Sequence, residues 1–328
     1  MVAIMILNWN GWQDSIACLE SLSKIDYDEF FVVLGDNGST NNSKKEISSF
    51  CNLRRLDSNW IKIGDPLPEI ANRKVYLYDL QSNYGFAKGN NILIQLAARH
   101  NPDYYLLLNN DTEVEPDFLT KLINYQRTHN RIKVLTPIIY YYGDKPRIWN
   151  AGGRLLWGIR KYHYADSTDV RAREKEFIPC SFITGCALFC TQDVLLENNK
   201  LFTESFFHGE EDFDFSLRMK DKGIKMGCVT SSVIYHKVGR SSGSIGNKIG
   251  LTYCYYLNRF IDLRHHLNFL SFYSFIIVYF PYVIRLLSSQ GLTIYEAIRF
   301  YWKVLIESHK IDEVTYKKFL ECANKKSI

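Results

Sequence analysis

Residues 2–7 are an almost unbroken apolar run, the pattern of a strand buried on both faces. A polar break at 8–11 follows. Apolar positions then recur at helical spacing through Ile16, Leu19 and Leu22, which predicts a helix over 14–22. Apolar runs at 30–34, 75–80 and 104–108 predict three further strands, and each ends in a polar turn. Those turns are Gly35-Asp36-Asn37-Gly38-Ser39-Thr40, Asn83-Tyr84-Gly85-Phe86-Ala87-Lys88-Gly89 and Asn109-Asn110-Asp111-Thr112. Residues 90–99 read as the helix after the second of them. Strand, turn and helix in alternation predict a parallel α/β sheet, and such sheets bind ligands at the carboxyl ends of their strands. Four polar turns there mark a nucleotide-sized crevice. Residues 52–72 carry Pro66 and Pro68 with little periodicity and read as a surface insertion.

From about residue 137 the pattern is mixed. Runs at 138–142, 182–190 and 226–236 predict strands, Trp149-Asn150-Ala151-Gly152-Gly153 a Gly-rich turn, and 210–222 a helix stopped by Gly223. The segment from about residue 251 onward reads as helical and aromatic.

Composition narrows the class. The chain has 328 residues, 46% apolar and 23% charged, an ordinary globular profile with room for about two domains at roughly 150 residues each. Disordered, collagen-like and disulfide-stapled chains are excluded. The net charge of +5 is spread out and gives no case for a nucleic-acid partner. Eight cysteines without a CxxC pair predict reduced, mostly buried thiols rather than a zinc site. The first residues carry no basic region ahead of the apolar run, so a cytoplasmic location is expected.

Three places can carry chemistry. Asp111, flanked by amides after a buried strand, suits a hard divalent cation such as Mg²⁺ or Mn²⁺, which needs few protein ligands when phosphates fill its shell; an Asx turn explains the same residues. His236 ends a strand and precedes Lys237-Val238-Gly239-Arg240-Ser241-Ser242-Gly243, a loop suited to a diphosphate through its N–H groups and two cations, or simply solvated. Glu210-Glu211-Asp212-Phe213-Asp214 opens a helix with four carboxylates. That is more than the helix dipole calls for, and opposed cations or a raised pKa would suit a general base. Arg218, six or seven residues on from Asp212 and Glu211, is placed to ion-pair with them.

In this order, the motifs resemble the family 2 inverting glycosyltransferases of the GT-A fold, most closely the bacterial rhamnosyltransferase-like branch. The matching residues are Ile6-Leu7-Asn8-Trp9-Asn10-Gly11, Asp36-Asn37-Gly38-Ser39, the 83–91 loop, Leu108-Asn109-Asn110-Asp111-Thr112, Thr184-Gly185-Cys186-Ala187, Glu211-Asp212-Phe213-Asp214 with Arg218, and His236 with Ser241. The resemblance covers about residues 1–260. It implies a Rossmann-like, mostly parallel sheet flanked by helices, with a C-terminal helical aromatic extension. The implied domains are a glycosyltransferase domain over 1–250, with a nucleotide-sugar half at 1–136 and an acceptor half at 137–250, and a helical region at 251–328.

The resemblance also implies roles. Asp36 holds the nucleobase with Asn8 beside it. Asn83, Gly85 and Lys88 of the 83–91 loop, with Asn110 and Gly185, line the nucleotide-sugar pocket. Asp111 is the metal ligand, with Asn109 where many relatives carry a first Asp, and His236 completes the site with the donor diphosphate. Asp212 is the catalytic base, and its neighbour Glu211 is the other candidate. The implied donor is a dTDP- or UDP-sugar, rhamnose being the first candidate, and the acceptor a saccharide, in many relatives lipid-linked. A catalytically silent nucleotide-sugar-binding or scaffold protein and a sugar-nucleotide transferase of related fold are the alternatives.

Residues 267–284 contain no charged side chain. At about 1.5 Å per residue they reach about 27 Å, the lower limit of a bilayer span. Asn268, Ser271, Ser274 and Pro281 weaken that reading; flanking basic and aromatic residues suit a segment lying at a membrane surface. A buried helix and a homodimer contact remain open. The resemblance favours peripheral contact with the inner face of the plasma membrane.

Overall fold

The computed structural model describes residues 1–325 apart from 57, 67, 144–146, 157, 169–171, 173 and 239–246. The first half runs β1 (Val2–Asn8), α1 (Trp12–Leu22), β2 (Phe30–Asp36), α2 (Ser43–Leu53), β3 (Trp60–Lys62), β4 (Val75–Asp79), α3 (Gly85–Ala98) and β5 (Tyr104–Leu108). β6 (Thr112–Val114), α4 (Phe118–Thr128), β7 (Ile132–Tyr141), β8 (Ile148–Asn150), β9 (Gly153–Leu156) and β10 (Ile159–Tyr162) come next. β11 (Phe177–Cys180), β12 (Ala187–Thr191), α5 (Glu211–Asp221) and β13 (Lys225–His236) complete the sheet region.

The main sheet follows the order β11-β13-β7-β12-β5-β1-β2-β4-β3. From β5 to β3 every pairing is parallel, whereas β12 meets β5 and β7 antiparallel. This is the mixed, centrally parallel sheet with flanking helices that the sequence predicts. Alternation along β1 explains the two cores. Ile4 and Ile6 face a layer built with Leu19 of α1, Ile47 of α2 and Leu122 of α4. Ala3 and Met5 face Leu93 and Ala97 of α3 and Phe215 of α5.

Four helices follow: α6 (Lys248–His266), α7 (Phe269–Ser289), α8 (Ile294–Ser308) and α9 (Tyr316–Ala323). They share a third core with Phe182, Phe206 and Phe213, so the helical region packs onto the sheet region beside the start of α5.

Several boundaries differ from the sequence expectation. α3 begins at Gly85, five residues before the predicted helix, and the Asn83 carboxamide just ahead of it accepts the Gly85 N–H at 2.9 Å. The insertion at 52–72 contributes β3 to the sheet edge, and α2 precedes it. That helix buries only Ser43, Ile47 and Cys51, too little apolar periodicity to read. The strand expected over 182–190 starts at Ala187. β8 and β9 leave only Ala151 and Gly152 of the Gly-rich stretch as turn.

Candidate active site

A cleft of about 400 Å³ opens at the carboxyl ends of the parallel strands. Leu7 and Trp9, Asn37, Asn83, and Asn109 to Asp111 supply one wall, each at or just after a strand end. Arg160 of β10, the segment from Phe207 to Glu210, and Leu251, Tyr255 and Asn258 of α6 supply the other.

The first wall is fixed by its own polar residues. Asn8 Nδ2 donates to Asp36 Oδ1 at 2.8 Å, and the Ser39 N–H donates to Asp36 Oδ2 at 3.0 Å. Ser15 Oγ donates to Asn8 Oδ1 and receives Asn110 Nδ2, tying the first turn to the third. Gly38 has φ +69°, and a Cβ there would stand 2.7 Å from the Ser82 carbonyl carbon, so only glycine lets these two turns meet. Asn37 bridges onward, donating to Asn83 Oδ1 and receiving the Tyr84 N–H.

Asp111 and His236 meet through the sheet. β13 pairs antiparallel with β6, setting His236 opposite Thr112, and the Lys237 N–H donates to the Asp111 carbonyl. His236 Nε2 lies 3.1 Å from Asp111 Oδ1, at an angle that makes no hydrogen bond. Both side chains are buried, and neither Asp111 Oδ1 nor His236 Nδ1 has a hydrogen-bond partner. Burial opposes charge on the imidazole; the adjoining Cys186 sulfur and Asp111 carboxylate outweigh it and raise the His236 pKa to about 10. A buried carboxylate oxygen without a hydrogen bond, facing a nucleotide-sized cleft, fits a hard divalent cation, and the imidazole becomes a second donor once it gives up its proton as the metal binds.

The acidic turn is held from three sides. Glu210 adopts φ +77°, a left-handed conformation rare for such a residue, and its carbonyl accepts the Phe213 and Asp214 N–H groups of α5. Its carboxylate is fully buried against Arg259 of α6, whose guanidinium also donates to the Gly158 carbonyl and lies 3.5 Å from the centre of the Phe213 ring. Asp212 Oδ1 accepts from Arg160 Nη1 at 3.0 Å. Arg218 does not pair with Glu211 or Asp212 as expected. It reaches Asp214 Oδ2 at 2.9 Å, because one helical turn separates 214 from 218. Asp214, Asp262 and His266 gather their ligand atoms within 4.8 Å, a group able to hold an ion. Arg218 and Thr203 already occupy Asp214 there, so the cluster serves here to lock α5 onto α6.

Glu211 stands apart electrostatically. Burial and the Asp212 charge raise its pKa from 4.5 to about 8, and its Oε2 is buried without a partner. Between these two values the folded state holds a proton that the unfolded state has released, so this group's stabilising contribution is lost as pH rises through the window. Glu211→Gln is expected to flatten the fall in urea-unfolding stability between pH 5 and pH 8. Identical slopes for the two proteins would count against a raised Glu211 pKa.

Of the candidate residues, Asn83, Gly85, Asn110 and Asp111 line the cleft. Asn8 and Asp36 lie directly behind its wall, Asp212 is joined to it by Arg160, and His236 by Asp111. Lys88 is exposed on α3 beside the Tyr84 ring, and Gly185 packs against Phe86, where a Cβ would come within 3.1 Å of the ring. The loop from Gly239 to Gly243, including Arg240 and Ser241, lies outside the described residues. Lys237, the other cation assigned to a diphosphate, is engaged by Glu113 at 2.8 Å and Asp14 at 3.4 Å. Sequence reasoning missed Arg160, on a four-residue strand with no periodicity, and Arg259. Arg259 left a trace, as a charge inside an apolar helical run.

Fold and cleft define an α/β protein with a nucleotide-sized cleft at its strand ends, lined by the carboxylate-bearing residues Asp111 and Glu210. The family model for glycosyl transferase family 2 matches residues 3–195, and that for glycosyl transferase family group 2 matches 104–307. The chain belongs to glycosyl transferase family 2. No curated protein matches it. Among solved structures, S. aureus TarS 1-349 shares 14% identity at TM-score 0.54, covering 95% of this chain and 83% of that one. GalNAc-T7 with UDP, GalNAc and Mn²⁺ shares 15% at 0.58, covering 98% of this chain and 56% of that one. The Pyrobaculum calidifontis mannosyltransferase PcManGT with GDP-Man and Mn²⁺ shares 12% at 0.50, covering 94% and 75%. At these identities the likeness shows the GT-A fold, and the family match makes the chain a nucleotide-sugar glycosyltransferase.

Proposed function

We propose that this chain is an inverting, metal-dependent glycosyltransferase. It moves a hexose, rhamnose being the first candidate, from a dTDP- or UDP-sugar to a hydroxyl of a growing, lipid-linked bacterial surface saccharide at the inner face of the plasma membrane. The observation that carries this reading is that Asp111 and Arg160, which holds Asp212, line one cleft. The Mn²⁺ bound by two of the structural neighbours supports a cation in the same role.

Asp212 takes the proton of the acceptor hydroxyl as that oxygen attacks the anomeric carbon. The new C–O bond forms on the face opposite the breaking bond to the diphosphate, which inverts the configuration. Arg160 orients the Asp212 carboxylate through its hydrogen bond to Oδ1. A carboxylate acid for the leaving group is unnecessary, because a nucleoside diphosphate departs readily, unlike the alkoxide of glycoside hydrolysis. Asp111 and His236 would hold Mg²⁺ or Mn²⁺, which when bound supplies Lewis-acid neutralisation of the diphosphate charge. Asn8 Nδ2 and the Ser39 N–H fix the buried Asp36 carboxylate directly behind the wall that a nucleobase would meet, so a nucleobase N–H reaches it only if that wall gives way.

A thermal-shift panel of dTDP- and UDP-sugars with Mn²⁺ tests the donor assignment. The true donor at 100 times its Kd adds about 2.7 kcal/mol of stability. A panel in which no nucleotide sugar shifts the transition would reject the reading.

A further inference from the structure

The apolar stretch at 267–284 has no place in the cleft. In α7, Leu270, Ile277, Val278 and Tyr282 are exposed, Leu270 by 77% and Ile277 by 71%, and their spacing puts them on one stripe. The opposite side, with Phe272, Ile276 and Val283, is buried in the third core. A helix embedded in protein along one side is not a lipid-surrounded span. On the adjoining α8, Tyr295 (74% exposed), Arg299, Trp302 and Ile306 form a second outer stripe. Arg299, Lys303 and Lys310 share a shallow groove with Trp302 and Ile306, and among the described residues none of these three cations forms an ion pair. Arg285, also exposed, follows the α7 stripe.

We propose that the outer face of α7 and α8 docks on an anionic lipid bilayer, with both helices lying in the membrane plane. Apolar and aromatic side chains enter the interface while the cations meet lipid phosphates. Exposed apolar stripes of this length are uncommon on soluble monomers. A second copy fits less well, because a two-fold contact would set the cationic groove near its own image. The inference deepens the lipid-linked acceptor reading above and stands independently of the donor chemistry.

Co-sedimentation of the full chain with phosphatidylcholine vesicles, with and without phosphatidylglycerol, tests it. Binding is expected to need the anionic lipid and to weaken in high salt. Each cation near such a surface is worth about fivefold in partitioning, so Arg299→Gln, Lys303→Gln and Lys310→Gln together should weaken binding about 100-fold. Ile277→Ser with Val278→Ser should weaken it too. All five positions are exposed and remote from the cleft, so nucleoside diphosphate release should match the parent chain. Absent vesicle binding, equal binding by parent and variants, or a dimer in sedimentation equilibrium that Ile277→Ser with Val278→Ser dissolves, would overturn the proposal. Intact vesicle binding without any diphosphate release would strike at the catalytic reading instead.

Discussion

Asp111→Ala is expected to abolish transfer and to remove the metal-dependent part of donor binding. Asp111 is the only acid among residues 109–111, since Asn109 and Asn110 precede it. Its Oδ1 is buried and lacks a hydrogen bond; among the described residues only the His236 imidazole, 3.1 Å away, faces it, and a bound cation would take its place between the two. Losing Lewis-acid stabilisation worth several kcal/mol corresponds to a rate loss on the order of 10³-fold or more. His236→Ala should cost less, because water and the donor diphosphate can fill the position of a neutral ligand. Rates at saturating donor and titrations with and without Mn²⁺ separate the two variants. Full activity of Asp111→Ala would refute the assignment.

Asp212→Asn is expected to lower kcat by about 10²–10⁴-fold, the usual worth of a general base. The substitution keeps shape and removes basicity, so donor affinity should hold; the loss falls on the transition state. Glu211 is the control. Neighbours on a helix point about 100° apart, so only one of the two can face the anomeric carbon. Asp212 is the one joined to the cleft through Arg160, whereas the buried Glu211 Oε2 touches no partner. Glu211→Gln should therefore cost less activity than Asp212→Asn. A reversed order would place the base one residue earlier.

The parallel half of the fold was legible because burial on both faces leaves a simple mark, an apolar run closed by a polar turn. β5 matches its run residue for residue, and β1 and β2 extend theirs only to Asn8 and Asp36. The candidate residues on those turns were legible for the same reason. α2 was not, because only Ile47 and Cys51 mark its apolar face. The second wall of the cleft escaped because it is made by tertiary contact. Arg160 matters only once the β9–β10 hairpin lies over α5, and Arg259 only once α6 crosses beneath Glu210. The C-terminal segment reads as helical and aromatic, with residues 267–284 open between a membrane contact, a dimer contact and a buried helix; its first helix also lines the cleft through Leu251, Tyr255 and Asn258. No local pattern separates such a helix from an ordinary core helix.

Nucleoside diphosphate release from dTDP- and UDP-sugars, followed with Mn²⁺ and again after EDTA, tests metal-dependent sugar transfer most directly. Release from one donor, lost on chelation and restored by added Mn²⁺, is the expected result. Release that persists undiminished in EDTA, or no release from any nucleotide sugar, would contradict it.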